Sequence, residues 1–217
     1  MILFDIFTRE GLISFLYTLP ALIISLSIHE FAHAFTAYKL GDKSQKAFGR
    51  LTLDPFRHID WMGFLCIALF GFGWGKPVMV DDRNFKKRAR DNMLVAFAGP
   101  LSNLLVAILL TFILKVLVIT GVIIPILSTN VSSILLNMLL LTIQFNVVFS
   151  VFNMIPLPPF DGSKVLRYFL PTNWKRKFDV LEIYSFYIIV IFFVTNAGVF
   201  IITPIVNFIE KLLFMII

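Results

Sequence analysis

Apolar residues in this chain gather in long blocks separated by polar loops. Residues 11–37 and 93–120 are apolar runs long enough for a helix to cross about 30 Å of hydrocarbon at about 1.5 Å per residue. Residues 131–154 form a third, which Pro156, Pro158 and Pro159 stop. Two later stretches, 180–194 and 199–217, are divided by Thr195-Asn196-Ala197-Gly198 and read as a helix, a tight turn and a returning helix. Residues 61–74 are apolar too, but they number fourteen and include three glycines, which suits a re-entrant or interfacial segment better than a span. On either side, residues 47–53, ended by Asp54-Pro55, and residues 76–80 read as short extended strands. The pattern predicts an all-α integral membrane protein with about five transmembrane helices, plus a re-entrant segment with short β-strands around residues 47–80. No linker or repeat divides the chain, so residues 1–217 are expected to form a single domain.

Composition changes the picture by exclusion. With 59% hydrophobic and 15% charged residues and a mean hydropathy of +0.89, the chain carries more apolar surface than a water-facing globule can hide. The 25 Phe exclude a disordered chain, which lacks apolar material to bury, and the lone Cys66 excludes an internal disulfide framework. Met1 to Glu10 lack a basic n-region and no small-residue cleavage site follows, so no removable signal peptide is expected. The net charge of +6 would suit a phosphate-binding patch. Sixteen of the nineteen Lys and Arg, however, lie in residues 38–60, 75–92 and 157–179, and none in 121–130. Cytoplasmic loops carry such an excess. The distribution puts the amino terminus outside and the carboxyl terminus inside a cell membrane, and makes 61–74 re-entrant because a crossing would export one basic loop. The partner of the charge is then the lipid bilayer, not nucleic acid.

Chemistry is concentrated in His29-Glu30-Phe31-Ala32-His33, inside the first apolar run. Residues four apart share a helix face, so the two imidazoles can hold one metal ion while Glu30 takes a proton from the water that the metal activates. Each ionisable group in an apolar span costs roughly 3 kcal/mol on insertion scales, so three of them kept together demand a function. A catalytic zinc usually has three protein ligands, and Asp161 is the candidate third. It follows the 131–154 run in Asn153-Met154-Ile155-Pro156-Leu157-Pro158-Pro159-Phe160-Asp161-Gly162, at the same inner depth as His29 and His33. The ligand set favours one zinc ion per chain, with iron, cobalt or manganese chemically acceptable in its place.

These residues resemble the site-2 protease family of intramembrane zinc metalloproteases, in its compact bacterial and archaeal form. The family pairs H-E-x-x-H with a later N-x-x-P-x-x-P-x-D-G-like element, matched here by His29 to His33 and by Asn153, Pro156, Pro159, Asp161 and Gly162. The resemblance extends through Arg50-Leu51-Thr52-Leu53-Asp54-Pro55-Phe56-Arg57-His58-Ile59-Asp60, Gly75-Lys76-Pro77-Val78 and Ala98-Gly99-Pro100-Leu101-Ser102-Asn103. Asp54 stands where the family more often has Asn, and the chain lacks a helix that some members place before the motif helix. The resemblance implies a zinc endopeptidase that hydrolyses a peptide bond in or near a transmembrane segment of another membrane protein, as in regulated intramembrane proteolysis. Its active site would lie near the cytosolic face, with Glu30 as the catalytic base.

Asn103 and Asn153 are amides in apolar spans, and either could donate to a developing oxyanion or simply bond a neighbouring helix. His58, in a loop, could position substrate or stand in solvent. A helical substrate must unwind to expose its carbonyls, and residues 47–53 and 76–80 are the candidate edge that would hold it by β-augmentation. A function of another class, a metal-ion transporter using His29, His33 and Asp161 as a transit site, should show inverted repeats or polar residues strung along several helices. Here the polar groups gather at one depth. Substrate selection would fall to the membrane core or to a regulatory membrane partner.

Overall fold

In a computed structural model of the protein, residues 8–70, 73–121 and 130–215 are described. The long apolar runs are helical because lipid offers the backbone no partner, and a helix closes its hydrogen bonds within itself. In chain order the helices are α1 (Arg9–Leu40), the short α2 (Ser44–Ala47), α3 (Trp61–Phe70), α4 (Arg88–Ile119), α5 (Asn130–Asn153), α6 (Asp161–Phe169), α7 (Thr172–Ile183), α8 (Ser185–Val194) and α9 (Ala197–Phe214). Four of them, α1, α4, α5 and α9, are long and apolar enough to cross a membrane. The protein is thus an all-α, multi-pass membrane protein.

The helices α1, α4 and α5 pack mutually, and α9 joins them against α5. Ala107 and Leu114 of α4, Ile143 and Val147 of α5, and Val206 and Leu213 of α9 form the main apolar core. Ser25 of α1 meets Asn146 of α5 and His29 meets Phe149, so α1 and α5 run parallel. Asn103 and Val95 of α4 meet Ser25 and His33 in the reverse order, so α4 runs against both. The end of α1, the start of α4 and the end of α5 therefore share one end of the bundle. Of the expected loop 121–130 at the other end, residues 122–129 lie outside the described residues.

Two expectations change here. The stretch 180–194 does not form a span: it is broken at Tyr184 between α7, whose exposed face carries Trp174, Arg176 and Lys177, and the ten-residue α8. Ten residues reach about 15 Å, half the hydrocarbon thickness. Consequently α9 runs antiparallel to α5. Ala197 and Ile202 pack near Ile155 and Phe160, whereas Glu210 and Phe214 line a cavity with Ser14, Tyr17 and Thr18 of α1. The end of α9 therefore lies beside the start of α1, and the expected termini on opposite sides do not fit this packing. The second change concerns the strands. Residues 47–53 are the end of α2, a turn and bends, and 76–80 carry neither helix nor strand; among the described residues the sole β-pairing is an isolated antiparallel bridge, Ile59 to Gly75.

That bridge closes the segment that contains α3. The Lys76 N–H donates to the His58 carbonyl at 2.7 Å, and the buried Arg50 guanidinium donates to the carbonyls of Arg57, Lys76 and Pro77 at 2.7–3.1 Å. A cation without a carboxylate partner is here neutralised by three carbonyl dipoles, which also tie the two flanks together. Both ends of the intervening segment thus meet at one place, and Trp61 and Met62 on α3 are exposed.

The turn after α1 is held by Asp42, which is fully buried. Its carboxylate accepts from the Ser44 N–H and hydroxyl, from Gln45 Nε2 and from the Asp81 N–H at 2.5–3.1 Å. Burial acts to raise the Asp42 carboxyl, but these hydrogen bonds outweigh it and hold it below the ordinary carboxylate value. A depressed folded value stabilises the fold above the unfolded pKa of about 3.9 and ceases to do so as pH falls through the lower folded value. Thermal unfolding followed from neutral pH to about pH 3 should show a loss of stability in acid that is smaller in Asp42→Asn, which starts from a lower plateau.

Candidate metal centre

Because α1 is a regular helix, His29 and His33 present their rings on one face, edge to face with centroids 4.5 Å apart. Asp161 reaches them from the first turn of α6. Its place is fixed by its neighbours. Phe160 is buried against Phe152 and Phe192, with centroids 4.5 and 5.8 Å away, and Gly162 lies so close to the end of α5 that a Cβ there would stand 2.2 Å from the Met154 carbonyl oxygen. As a result His29 Nε2, His33 Nε2 and Asp161 Oδ2 form a triangle with sides of 3.0–3.1 Å.

The far nitrogens of both rings are engaged. His29 Nδ1 lies 2.8 Å from Asn103 Oδ1, and His33 Nδ1 lies 2.7 Å from the Val95 carbonyl oxygen. Both partners are acceptors, so each Nδ1 carries the proton and donates it. Each Nε2 is then left with a lone pair aimed at the other and at a carboxylate oxygen. Three electron pairs facing one another in a buried site repel unless a cation stands between them. Ligand atoms about 2.0–2.1 Å from a tetrahedral zinc stand roughly 3.3 Å apart, close to the spacing here. The donor set, two neutral imidazoles and one carboxylate with their outer atoms hydrogen-bonded, fits a zinc ion.

Glu30 is half-buried on α1 beside His29. Asn103 is fully buried, with Nδ2 donating to the Ser25 carbonyl at 2.9 Å and to Asn146 Oδ1 at 2.8 Å. Both amide protons are engaged, so in this arrangement Asn103 faces His29 rather than a substrate oxygen. Asn153 donates to the Phe149 carbonyl of its own helix. His58 is buried rather than solvated; its Nε2 donates to the Thr52 carbonyl at 2.7 Å in the loop closed by Arg50, apart from the cluster of His29, His33 and Asp161. Sequence reasoning did not find Ser25, Asn146 or the Val95 carbonyl. The first two carried a signal, as polar side chains in apolar runs, whereas a backbone carbonyl carries none.

Gly99 of α4 permits the close approach of that helix to the site. A Cβ there would stand 2.5 Å from His33 Nε2 and Cε1 and 2.6 Å from His29 Cε1, so no side chain fits between helix and rings. Gly99→Ala should therefore displace both imidazoles and weaken zinc binding by at least tenfold, read by chelator competition, while the helix content by circular dichroism stays that of the wild type.

Residues 17–195 match peptidase family M50. The chain is 38% identical over 192 residues to "Putative zinc metalloprotease YwhC" of Bacillus subtilis, covering 88% of this chain and 86% of that one. It is 29% identical to "Putative zinc metalloprotease Rip2" of Mycolicibacterium smegmatis, over 84% of this chain and 68% of the relative. It is 28% identical to "Putative zinc metalloprotease MJ0611" of Methanocaldococcus jannaschii, over 73% of each. No solved structure matches it. With most of its length matched, the motif helix and the Asp161 turn included, the chain belongs to peptidase family M50, the site-2 protease family.

Proposed function

We propose that the chain is an intramembrane zinc endopeptidase that cleaves peptide bonds in or near transmembrane segments of other membrane proteins. The observation that carries this reading is the triangle of His29, His33 and Asp161, assembled from two separate parts of the chain at one end of the bundle with Glu30 on the adjoining position. The relatives named as zinc metalloproteases support the same metal and reaction class. A bound zinc would supply Lewis-acid polarisation of water and of the scissile carbonyl. His29, His33 and Asp161 would hold it, with Asn103 and the Val95 carbonyl fixing the rings. Glu30 takes the proton that the attacking water gives up and returns a proton to the leaving nitrogen. The basic loops all adjoin the end of the bundle that holds this centre, and by the charge rule this supports an active site on the cytosolic side.

In the same reading the segment 61–74 is re-entrant, since its flanks are bridged at Ile59 and Gly75. The adjoining residues 76–80 are the candidate edge for an unwound substrate. Arg50 and Gln45 occupy the carbonyls of Lys76, Pro77 and Met79, while Val78 and Val80 have no backbone hydrogen bond. Those two residues would offer the N–H and C=O groups of an added strand.

Two measurements test the proposal. Detergent-purified wild type and Glu30→Gln are compared for bound zinc and for cleavage of a panel of single-span substrates. Glu30→Gln should keep its zinc and lose cleavage by at least 100-fold, in line with loss of a general base. If instead wild type cleaves nothing while zinc crosses liposomes that contain it, the centre is a transit site. Separately, Val78→Pro and Val80→Pro should each lower cleavage without altering bound zinc, and unchanged cleavage in both removes residues 76–80 from substrate binding.

A further inference from the structure

Behind His29, away from the metal face, runs a buried hydrogen-bonded chain that crosses three spans. Asn103 Oδ1 accepts from His29 Nδ1; Asn103 Nδ2 donates to the Ser25 carbonyl and to Asn146 Oδ1. Asn146 Nδ2 in turn donates to the Thr142 carbonyl at 2.8 Å and to Ser25 Oγ at 2.9 Å, and Ser25 Oγ donates to the Ala21 carbonyl at 2.8 Å. Asn103, Asn146 and Ser25 are each fully buried.

The direction of this chain is fixed. A carbonyl oxygen only accepts, so the Thr142 carbonyl requires the NH2 side of Asn146 to face it, which turns Asn146 Oδ1 toward α4. Asn146 Oδ1 and the Ser25 carbonyl are then two acceptors that require the NH2 side of Asn103, which turns Asn103 Oδ1 toward His29. A flip of either amide would set oxygen against oxygen in a buried site, at the cost of unsatisfied donors and acceptors. His29 must answer with its Nδ1 proton, which leaves the Nε2 lone pair for the metal.

We infer that Asn146, which does not touch the centre, is a positioning residue: through Asn103 it fixes the tautomer and orientation of His29 and so raises zinc affinity. This rests on the reading of His29, His33 and Asp161 as a zinc site. Asn103 is then the residue that transmits this order, not a group that binds substrate. Among the described residues no other side chain of α5 enters this chain of bonds, and Asn103 is the member that touches the His29 ring.

The test is a double-mutant cycle on zinc affinity, measured by chelator competition on the detergent-purified full chain, with the visible spectrum of the Co2+-loaded protein as a second readout. Asn103→Leu should weaken zinc binding on the order of 10- to 100-fold and Asn146→Leu by a smaller factor, as for loss of partners behind a ligand histidine. The double variant should bind no more weakly than Asn103→Leu, and both singles should alter the Co2+ ligand-field bands. A residue that merely packs the spans would lower thermal stability while leaving zinc affinity and the Co2+ bands unchanged. Wild-type zinc affinity in Asn146→Leu, or full additivity in the double variant, overturns the inference while leaving the metal centre intact. A wild-type chain that binds no zinc overturns both. Should Asn103→Leu fail to fold, Ser25→Ala replaces it in the cycle, since it removes an acceptor of Asn146 from the same chain of bonds and must show the same non-additivity.

Discussion

Lipid offers no hydrogen bond, so every polar atom carried into an apolar span must find its partner in another part of the chain. His29, His33, Asn103, Asn146 and Ser25 are buried polar groups on three adjacent helices, and their mutual satisfaction sets where α1, α4 and α5 stand. Most of what makes the site is a consequence. The two imidazoles have their outer nitrogens tied, while their inner nitrogens and a carboxylate oxygen face one another across 3.0–3.1 Å, a spacing that a cation would fit. Gly99 and Gly162 then act by omission, since each removes the side chain that would hold a helix or a turn away from the centre.

The polar loops follow the same logic at the ends of the spans. Asp42 gathers five donors and Arg50 three carbonyls, each a charge satisfied in part by groups on segments that are far apart in sequence. These two residues fold the ends of the loops onto the bundle without contributing to the apolar core. They give rigid anchorage to the stretch 76–80 while leaving α3 with no extensive packing against the other described helices.

How much of this could be read from the sequence follows the kind of interaction involved. Long apolar runs and the i, i+4 spacing of His29 and His33 are local patterns: the runs placed α1, α4 and α5, and the spacing put the two imidazoles on one helix face. The proximity of Asp161 to the two histidines was legible because prolines and a carboxylate stood at a span end that charge topology set at the same depth. The α7–α8 region was misread because residues 180–183 are apolar enough to extend a span on paper but belong to the end of a surface helix with Arg176 and Lys177 on its exposed side. The strand at 47–53 was misread because β-branched and aromatic residues there serve a turn held by Arg50 and Gln45, whose partners lie in residues 57 and 76–79. The roles of Asn103 and His58 depended on contacts across helices and loops, which spacing along one chain does not encode.

The positions of the clustered residues along the chain have a consequence for biogenesis. Asp161 lies 132 residues after His29, whereas Val95 and Asn103, which orient the two imidazoles, lie 62 and 74 residues after their partners. A chain made from its amino terminus therefore presents α4 to α1 well before it presents the Asp161 turn. The histidine pair acquires its orienting acceptors first and its carboxylate last, once α5 has inserted and folded back. The cluster of His29, His33 and Asp161 is thus completed only in the last third of synthesis, after both orienting contacts have become available.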